Sequence, residues 1–332
     1  MTMPRIVVAC KSYCVSVDET QPLTFTLLIA MGFMVTLHRL ISLFTWIYRT
    51  CFRAEKDLVR TYGSWALVTG ASDGIGKAFA HQLAQRGLNL ILVSRTFQKL
   101  ESVACEIRGR HPHTRVKIVE MDFGADNMWD GLRRVEEATQ GLDVGVLINN
   151  VGITYPSAMF FHEVEEKVWR NIVRVNIEGT TKLTKLFLPP MLQRRKGAIV
   201  NIASAATALL PSHPLFTVYA ATKAYVDRLS RSLYVEYGQH GIHVQCQAPL
   251  YVATNMVSRV ACIERDSVFV PTAEAYARAA MGEIGYGPKC TPYWAHSIQW
   301  CFAELIPDPL LDYWRLSIGI RRRNQNSKGT VN

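Results

Sequence analysis

No two of the eight cysteines form a C-x-x-C pair, and no group of cysteines and histidines has metal-ligand spacing. Structural zinc and dithiol redox chemistry are therefore not expected, and no residue is a candidate metal ligand. The chain also lacks an N-x-S/T sequon. Together these absences suit a main domain with free thiols in a reducing compartment. A formal net charge of +10 invites a nucleic-acid reading, but no basic stripe interleaved with aromatics is present, nor any zinc-finger or RNA-recognition signature. No nucleic-acid partner is expected. The basic clusters lie instead at Arg49 to Arg60 and at Arg321, Arg322 and Arg323, beside hydrophobic segments, as at a membrane surface facing cytosol. Internal repeats and low-complexity tracts are lacking, and with 49% hydrophobic residues a sizeable core can form.

Long apolar runs are scarce, with one exception. Residues 23–48, LTFTLLIAMGFMVTLHRLISLFTWIY, exceed the roughly 20 residues needed to cross a bilayer. His38 and Arg39 interrupt the run, and Arg39 can snorkel to the interface while Trp46 and Tyr48 lie among headgroups. A cleaved signal peptide fits less well, because the run starts late and no small-residue cleavage site follows it. A buried core helix is the other alternative. Arg49, Arg53, Lys56 and Arg60 follow the segment, against Arg5 and Lys11 before it, so the positive-inside bias places the C-terminal part in the cytosol.

From Trp65 the chain alternates short apolar runs with amphipathic stretches. The runs are 65–70, 88–94, 116–121, 144–150, 198–204 and 242–248, each nearly continuous, as in strands covered on both faces. Helical patterns occupy 77–86, 97–108, 126–139, 163–193 and 219–237. Strand–helix–strand repetition predicts an α/β fold, a doubly wound parallel sheet of Rossmann type, in a single catalytic domain behind an N-terminal anchor helix. The division expected is a tail (1–22), an anchor (23–48), a basic linker (49–64), a nucleotide-binding catalytic domain (65–290) and an aromatic C-terminal extension with a basic tail (291–332).

The first strand runs into TGASDGIG (69–76) and then a helix. Glycines there let backbone approach a pyrophosphate, and the helix N-terminus supplies amide donors. Gly70, Ser72, Asp73, Gly74, Ile75 and Gly76 are the candidate cradle. An NAD site usually carries an acid after the second strand to hold the ribose 2′-hydroxyl. Here Ser94-Arg95 stands in that place, and a guanidinium suits a 2′-phosphate. NADP(H) is the expected cofactor; an ordinary surface arginine is the alternative reading of Arg95.

The segment VYAATKAY (218–225) puts Tyr219 and Lys223 four positions apart, on one helix face. A lysine stem covering apolar surface would account for it. So would a phenol made more acidic by a neighbouring ammonium.

TGASDGIG (69–76), NNVG (149–152), Ser204 at the end of the fifth strand and YAATK (219–223) occur in one order. Over about Trp65 to Thr254 this resembles the short-chain dehydrogenase/reductase superfamily. The resemblance implies that Tyr219 is the proton donor, that Lys223 lowers its pKa and holds the nicotinamide ribose, that Ser204 binds the reacting carbonyl, and that Asn176 completes a proton relay. It also places Asn149, Gly152 and Asp122 along the adenosine half of the cofactor and Thr254 at the nicotinamide carboxamide. PLYVATNM (249–256), GLDVGVLINNVGITYP (141–156) and CTPYWAHS (290–297) extend the similarity to a membrane-bound subgroup. These are the very-long-chain 3-oxoacyl-CoA reductases of fatty-acid elongation, above all the plant type, and the related 17β-hydroxysteroid dehydrogenases.

The implied activity is NADPH-dependent reduction of a very-long-chain 3-oxoacyl-CoA at the endoplasmic reticulum membrane, with the catalytic domain cytosolic. Its partners would be long-chain acyl-CoA, membrane lipid and other elongase-complex subunits. Steroid ketone reduction and a non-catalytic NADP-binding scaffold are the alternatives. Two departures stand out: the superfamily's common Pro-Gly after the sixth strand reads Pro249-Leu250, and the chain ends SKGTVN without the dilysine retrieval signal of many subgroup members. Residues 291–320 are rich in aromatics and broken by Pro307 and Pro309, which suits an interfacial segment or a helix covering the substrate pocket.

Overall fold

The computed structural model describes residues 5–204, 210–261, 263 and 265–329. It divides into two compact units, residues 1–54 and 55–332. The first unit is dominated by α1 (Arg5–Ile47), which continues into a π-helical turn at Tyr48–Phe52. Helix therefore begins well before the apolar run. Leu23–Phe52 has a mean hydropathy of 1.9 and none of its most apolar stretch is buried, so by length and composition it is a candidate membrane span. Phe25, Leu27 and Phe33, spread around the helix, show the same, all largely exposed. That all-round apolarity is what lipid, rather than a one-sided protein core, would cover.

The second unit opens with a single helical turn, α2 (Leu58–Thr61), and then alternates strand and helix. β1 (Trp65–Thr69), β2 (Asn89–Ser94), β3 (Val116–Glu120), β4 (Val144–Asn149), β5 (Gly197–Ile202), β6 (Ile242–Gln247) and β7 (Lys289–Cys290) form one sheet. Its order is β3-β2-β1-β4-β5-β6-β7 and every pairing is parallel. The doubly wound Rossmann-type sheet is thus as the alternation implied, with β7 added at one edge. The helices between are α3 (Gly74–Gln85), α4 (Phe97–Arg110), α5 (Met128–Thr139), α6 (Glu166–Val173), α7 (Thr180–Arg194), α8 (Thr217–Tyr237), α9 (Asn255–Ala261) and α10 (Ala273–Met281). α11 (Trp294–Ala303) and α12 (Asp308–Gly329) follow β7.

Two cores sandwich the sheet, because successive strand residues point to opposite faces. Ala66 and Val68 of β1 join Phe79, Leu83, Leu100 and Tyr276 on one side. Trp65 and Leu67 join Leu132, Val135, Leu183 and Phe187 on the other. Double coverage explains why these strands read as unbroken apolar runs.

β1 pairs with β2 on one side and β4 on the other, so the winding reverses between β1 and β4. In open α/β sheets ligands bind in the crevice that this reversal leaves at the carboxyl ends of the strands. Thr69 locks the crevice's floor. Its Oγ1 accepts from the backbone N–H groups of Asn150 (2.9 Å) and Val151 (3.0 Å) and donates to the Ile148 carbonyl.

Candidate active site

The glycine turn is shaped by close approach. Gly70 and Gly74 have φ of +63° and +54°, a region that only glycine enters without strain. At Gly76 a Cβ would stand 2.2 Å from the Gly70 carbonyl oxygen and 2.5 Å from Asn150 Nδ2. The first turn of α3 thus lies directly against the strand end. Asp73 caps α3, accepting from the Gly74 N–H at 2.7 Å, and its other oxygen accepts from Asn255 Nδ2. This cap ties the turn to the segment after β6. We expect Gly76→Ala to push α3 off the turn, weakening cofactor binding at least about tenfold and costing about 1–3 kcal/mol of stability. A fluorescence titration with nicotinamide cofactor and a thermal melt check both.

A cavity of about 340 Å³ opens above this turn, within the size range of small-molecule sites. Gly70, Asp73, Gly74, Ile75, Gly152, Ser204, Tyr219, Lys223 and Thr254, nine of the sequence candidates, line it. Tyr219 and Lys223 come from α8, which packs against β5 and β6. The Ser204 and Tyr219 hydroxyls are within hydrogen-bonding reach of each other. Lys223 is 6% exposed; its Nζ donates to the Ile202 carbonyl at 2.8 Å and lies 6.0 Å from the Tyr219 ring centre.

Asn176 stands just behind this wall. It sits in a π-helical turn (Arg174–Gly179) between α6 and α7, a distortion that recurs at functional sites. Its side chain accepts from the Ile153 N–H and donates to the Ile153 carbonyl and to Thr222 Oγ1, whose hydroxyl bonds the Tyr219 carbonyl. A Cβ on Gly152 would meet Lys223 Nζ at 3.1 Å and Asn176 Oδ1 at 3.4 Å, so both polar groups face the small space that Gly152 leaves open.

Two expectations need correction. The Tyr219 pKa is not lowered overall. Burial pushes the phenol up to about 12, the Ser204 hydroxyl opposing and Tyr251 adding, and burial pulls Lys223 itself down to about 8. The ammonium is engaged by the Ile202 carbonyl, and desolvation dominates the shift of both groups. Asn149 does not line the cavity. It ends β4 with its side chain under the sheet, donating to Thr184 Oγ1 (3.1 Å) and to Asn201 Oδ1 (2.8 Å). Its neighbour Asn150 lines the cavity instead and binds the carbonyls of Thr69 and Gly70.

The remaining candidates lie around the crevice rather than in the cavity wall. Ser72 bonds Ser94 across the ends of β1 and β2, while Arg95 and Asp122 are exposed just past β2 and β3. The Pro249-Leu250 turn takes ordinary backbone angles, since Arg195 and Leu215 are the non-glycine residues with positive φ among those described. His296 holds this turn. Its Nδ1 accepts from the Leu250 N–H, leaving Nε2–H to donate to the Tyr251 carbonyl, a tautomer set by these partners. Burial holds it down to about 4, so it is neutral and structural.

Sequence reasoning missed His213, Tyr251, Arg315 and Arg322, all in the cavity wall. Of residues 291–320, the part in α12 covers the cavity with one face, while Leu310, Tyr313 and Trp314 on another are exposed.

Parallel sheet, glycine turn at the switch point and a Ser–Tyr–Lys cluster define a dinucleotide-dependent oxidoreductase architecture. The short chain dehydrogenase family model matches residues 64–262, and the chain belongs to that family. It is 55% identical over 309 residues to the very-long-chain 3-oxoacyl-CoA reductase-like protein of Arabidopsis thaliana, covering 93% of this chain and 98% of that one. It is also 41% identical over 256 residues to the inactive hydroxysteroid dehydrogenase-like protein 1 of Homo sapiens, covering 77% and 76% of the two chains. Among solved structures it resembles a short-chain dehydrogenase from Sphingobium yanoikuyae in complex with NADPH, at a TM-score of 0.59 and 29% identity over 66% of this chain and 83% of that one.

Proposed function

We propose that the protein reduces very-long-chain 3-oxoacyl-CoA to the 3-hydroxyacyl-CoA with NADPH, the first reduction of fatty-acid elongation. We place it in the endoplasmic reticulum membrane with the catalytic unit facing cytosol, among other elongase subunits. The observation that carries this reading is the Ser204–Tyr219 hydroxyl pair beside Lys223 in one cavity, in a chain so similar to the Arabidopsis protein. The candidate span and the basic residues after it support the location.

The residues suit a nicotinamide dinucleotide. Gly70 and Gly74 expose backbone, α3 offers its N-terminal N–H groups to phosphate, and Lys223 and Thr254 reach the same cavity. Arg95, exposed after β2, would take the 2′-phosphate. A bound dihydronicotinamide supplies hydride. As C3 of the substrate gains it, Ser204 and Tyr219 donate hydrogen bonds to the C3 oxygen, and Tyr219 then gives up its proton to that oxygen. Lys223 stabilises the resulting phenolate, and Gly152 leaves room for it to do so. Arg95→Asp should lower the preference for NADPH over NADH by about tenfold or more, because a charge-assisted contact becomes a repulsion. Unchanged KM values for both cofactors would remove Arg95 from that role.

Apolar side chains such as Phe216, Met256 and Val260 line the rest of the cavity and would accept an acyl chain or a steroid. A panel of long-chain 3-oxoacyl-CoA esters and 17-ketosteroids, assayed by NADPH oxidation on detergent-solubilised full-length protein, tests the reading. Turnover of the esters is expected. Turnover of steroids alone would transfer the assignment to them, and cofactor binding without turnover of any ketone would favour the scaffold.

A further inference from the structure

α12 turns positive charge into the cavity. Arg315 and Arg322 both line it, beside His213 and Tyr251. Seven residues apart, they share one helix face, separated by about 10 Å along the axis. Arg322 Nη1 donates to the Tyr251 hydroxyl at 2.7 Å, with its guanidinium 5.2 Å from the centre of that ring. Arg315 also bonds the Tyr251 hydroxyl, yet its Nη2 is buried with no hydrogen-bond partner among the described residues.

No described carboxylate compensates either arginine. Their neighbour Arg323 pairs with Glu163, and Asp312 accepts from Ser212. His213 adds no charge of either sign, since burial and the two arginines hold it down to about 3, as a neutral ring. A half-buried guanidinium left without a counter-charge is costly, and planar donors in a fork match phosphate oxygens two at a time. The glycine turn and the start of α3 already provide for a dinucleotide's pyrophosphate. The arginines belong to a different element, on the Tyr251 side of the reacting hydroxyls.

The geometry points to Arg315 and Arg322 as the wall that recognises the phosphates of a coenzyme A thioester, making them specificity residues of the substrate half of the cavity. The inference rests on the 3-oxoacyl-CoA reading and deepens it. A neutral steroid ketone would leave both charges uncompensated, whereas coenzyme A brings several negative ones.

Arg315→Gln and Arg322→Gln in the detergent-solubilised full-length protein test it through three readouts. The first is binding of free coenzyme A by calorimetry. The second is the ratio of KM for a 3-oxoacyl pantetheine thioester, which lacks the nucleotide phosphates, to KM for the corresponding coenzyme A ester. The third is KM for NADPH. Each substitution should weaken coenzyme A binding about tenfold and lower the KM ratio by a similar factor. Arg322→Lys should recover part of both. Unchanged coenzyme A binding overturns the inference, as does equal damage with the two thioesters, which marks a merely structural role. A rise confined to KM for NADPH overturns it too, by assigning the arginines to the cofactor. Coenzyme A binding is read without turnover, so a wild type that binds it but reduces no 3-oxo ester refutes the reductase reading and leaves this one standing.

Discussion

Tyr219→Phe should lower kcat for ketone reduction by about 10²–10⁴-fold while the protein still folds and binds cofactor. The substitution removes one hydroxyl and keeps the ring that packs beside His213 at 6.5 Å between centres. Only the contact with Ser204 is lost from the described structure, and Ser204 alone cannot replace the proton that leaves with the product alcohol. The pH profile gives a second reading of the same group. A phenol raised to about 12 stays protonated through neutral pH, so the donor form is present and reduction does not wait on its titration. His213, held to about 3, and His296, held to about 4, are neutral across the same range. The first cavity group to change charge on raising pH is Lys223, near 8. Wild-type kcat should therefore be flat from about pH 6 to pH 7.5 and fall above 8. A limb centred near 6.5, where an unperturbed histidine titrates, would assign proton transfer to another group. Retention of full activity in the phenylalanine variant would refute the role outright.

The sheet was legible because its strands are short apolar runs bounded by glycine, asparagine and serine, a pattern that burial on both faces imposes. β7 escaped, since two residues pairing at an edge leave no periodicity to find. The pattern at 163–193 reads as one helix, whereas the chain interrupts it with a π-helical turn that carries Asn176 to a place just behind the cavity wall. That insertion follows from packing against Ile153 and Thr222, which lie far away in sequence. The site was legible in its residue types and less so in its geometry. Which of Asn149 and Asn150 faces the cavity depends on where β4 ends, and a one-residue difference reverses the direction of a strand side chain. The four-residue spacing placed Tyr219 and Lys223 on one face, but spacing is silent about dielectric, so the direction of the phenol's shift came out reversed. Arg315 and Arg322 sit in YWRLSIGIRRR, where basic residues read as a membrane-surface cluster. Their seven-residue interval is the signal that would have set them apart from Arg321 and Arg323.

Lys223→Met should abolish useful turnover, with kcat down at least about 10²-fold, and yet raise stability at pH 7. Two opposing effects decide the sign. Burial lowers the Lys223 pKa from 10.5 to about 8, so holding the charged form inside the fold costs about 3 kcal/mol at neutral pH. Methionine removes that cost but leaves the Ile202 carbonyl without its 2.8 Å donor, a loss of about 1–2 kcal/mol. The balance favours the variant by about 1–2 kcal/mol. Because the folded-state pKa lies below the unfolded one, the unfolded chain binds more protons between pH 8 and 10.5. Wild-type stability from this group therefore rises with pH across that window, and the penalty is fully present below 8. Chemical denaturation at pH 7 and pH 10 should show the two proteins converging as pH rises, with the methionine variant ahead at pH 7. A variant less stable than wild type at pH 7 would mean that the ammonium stabilises the fold. The lysine would then be structural as well as functional. The expected result is the reverse: a charge kept in the cavity at the expense of stability, because the phenolate left after proton transfer requires it.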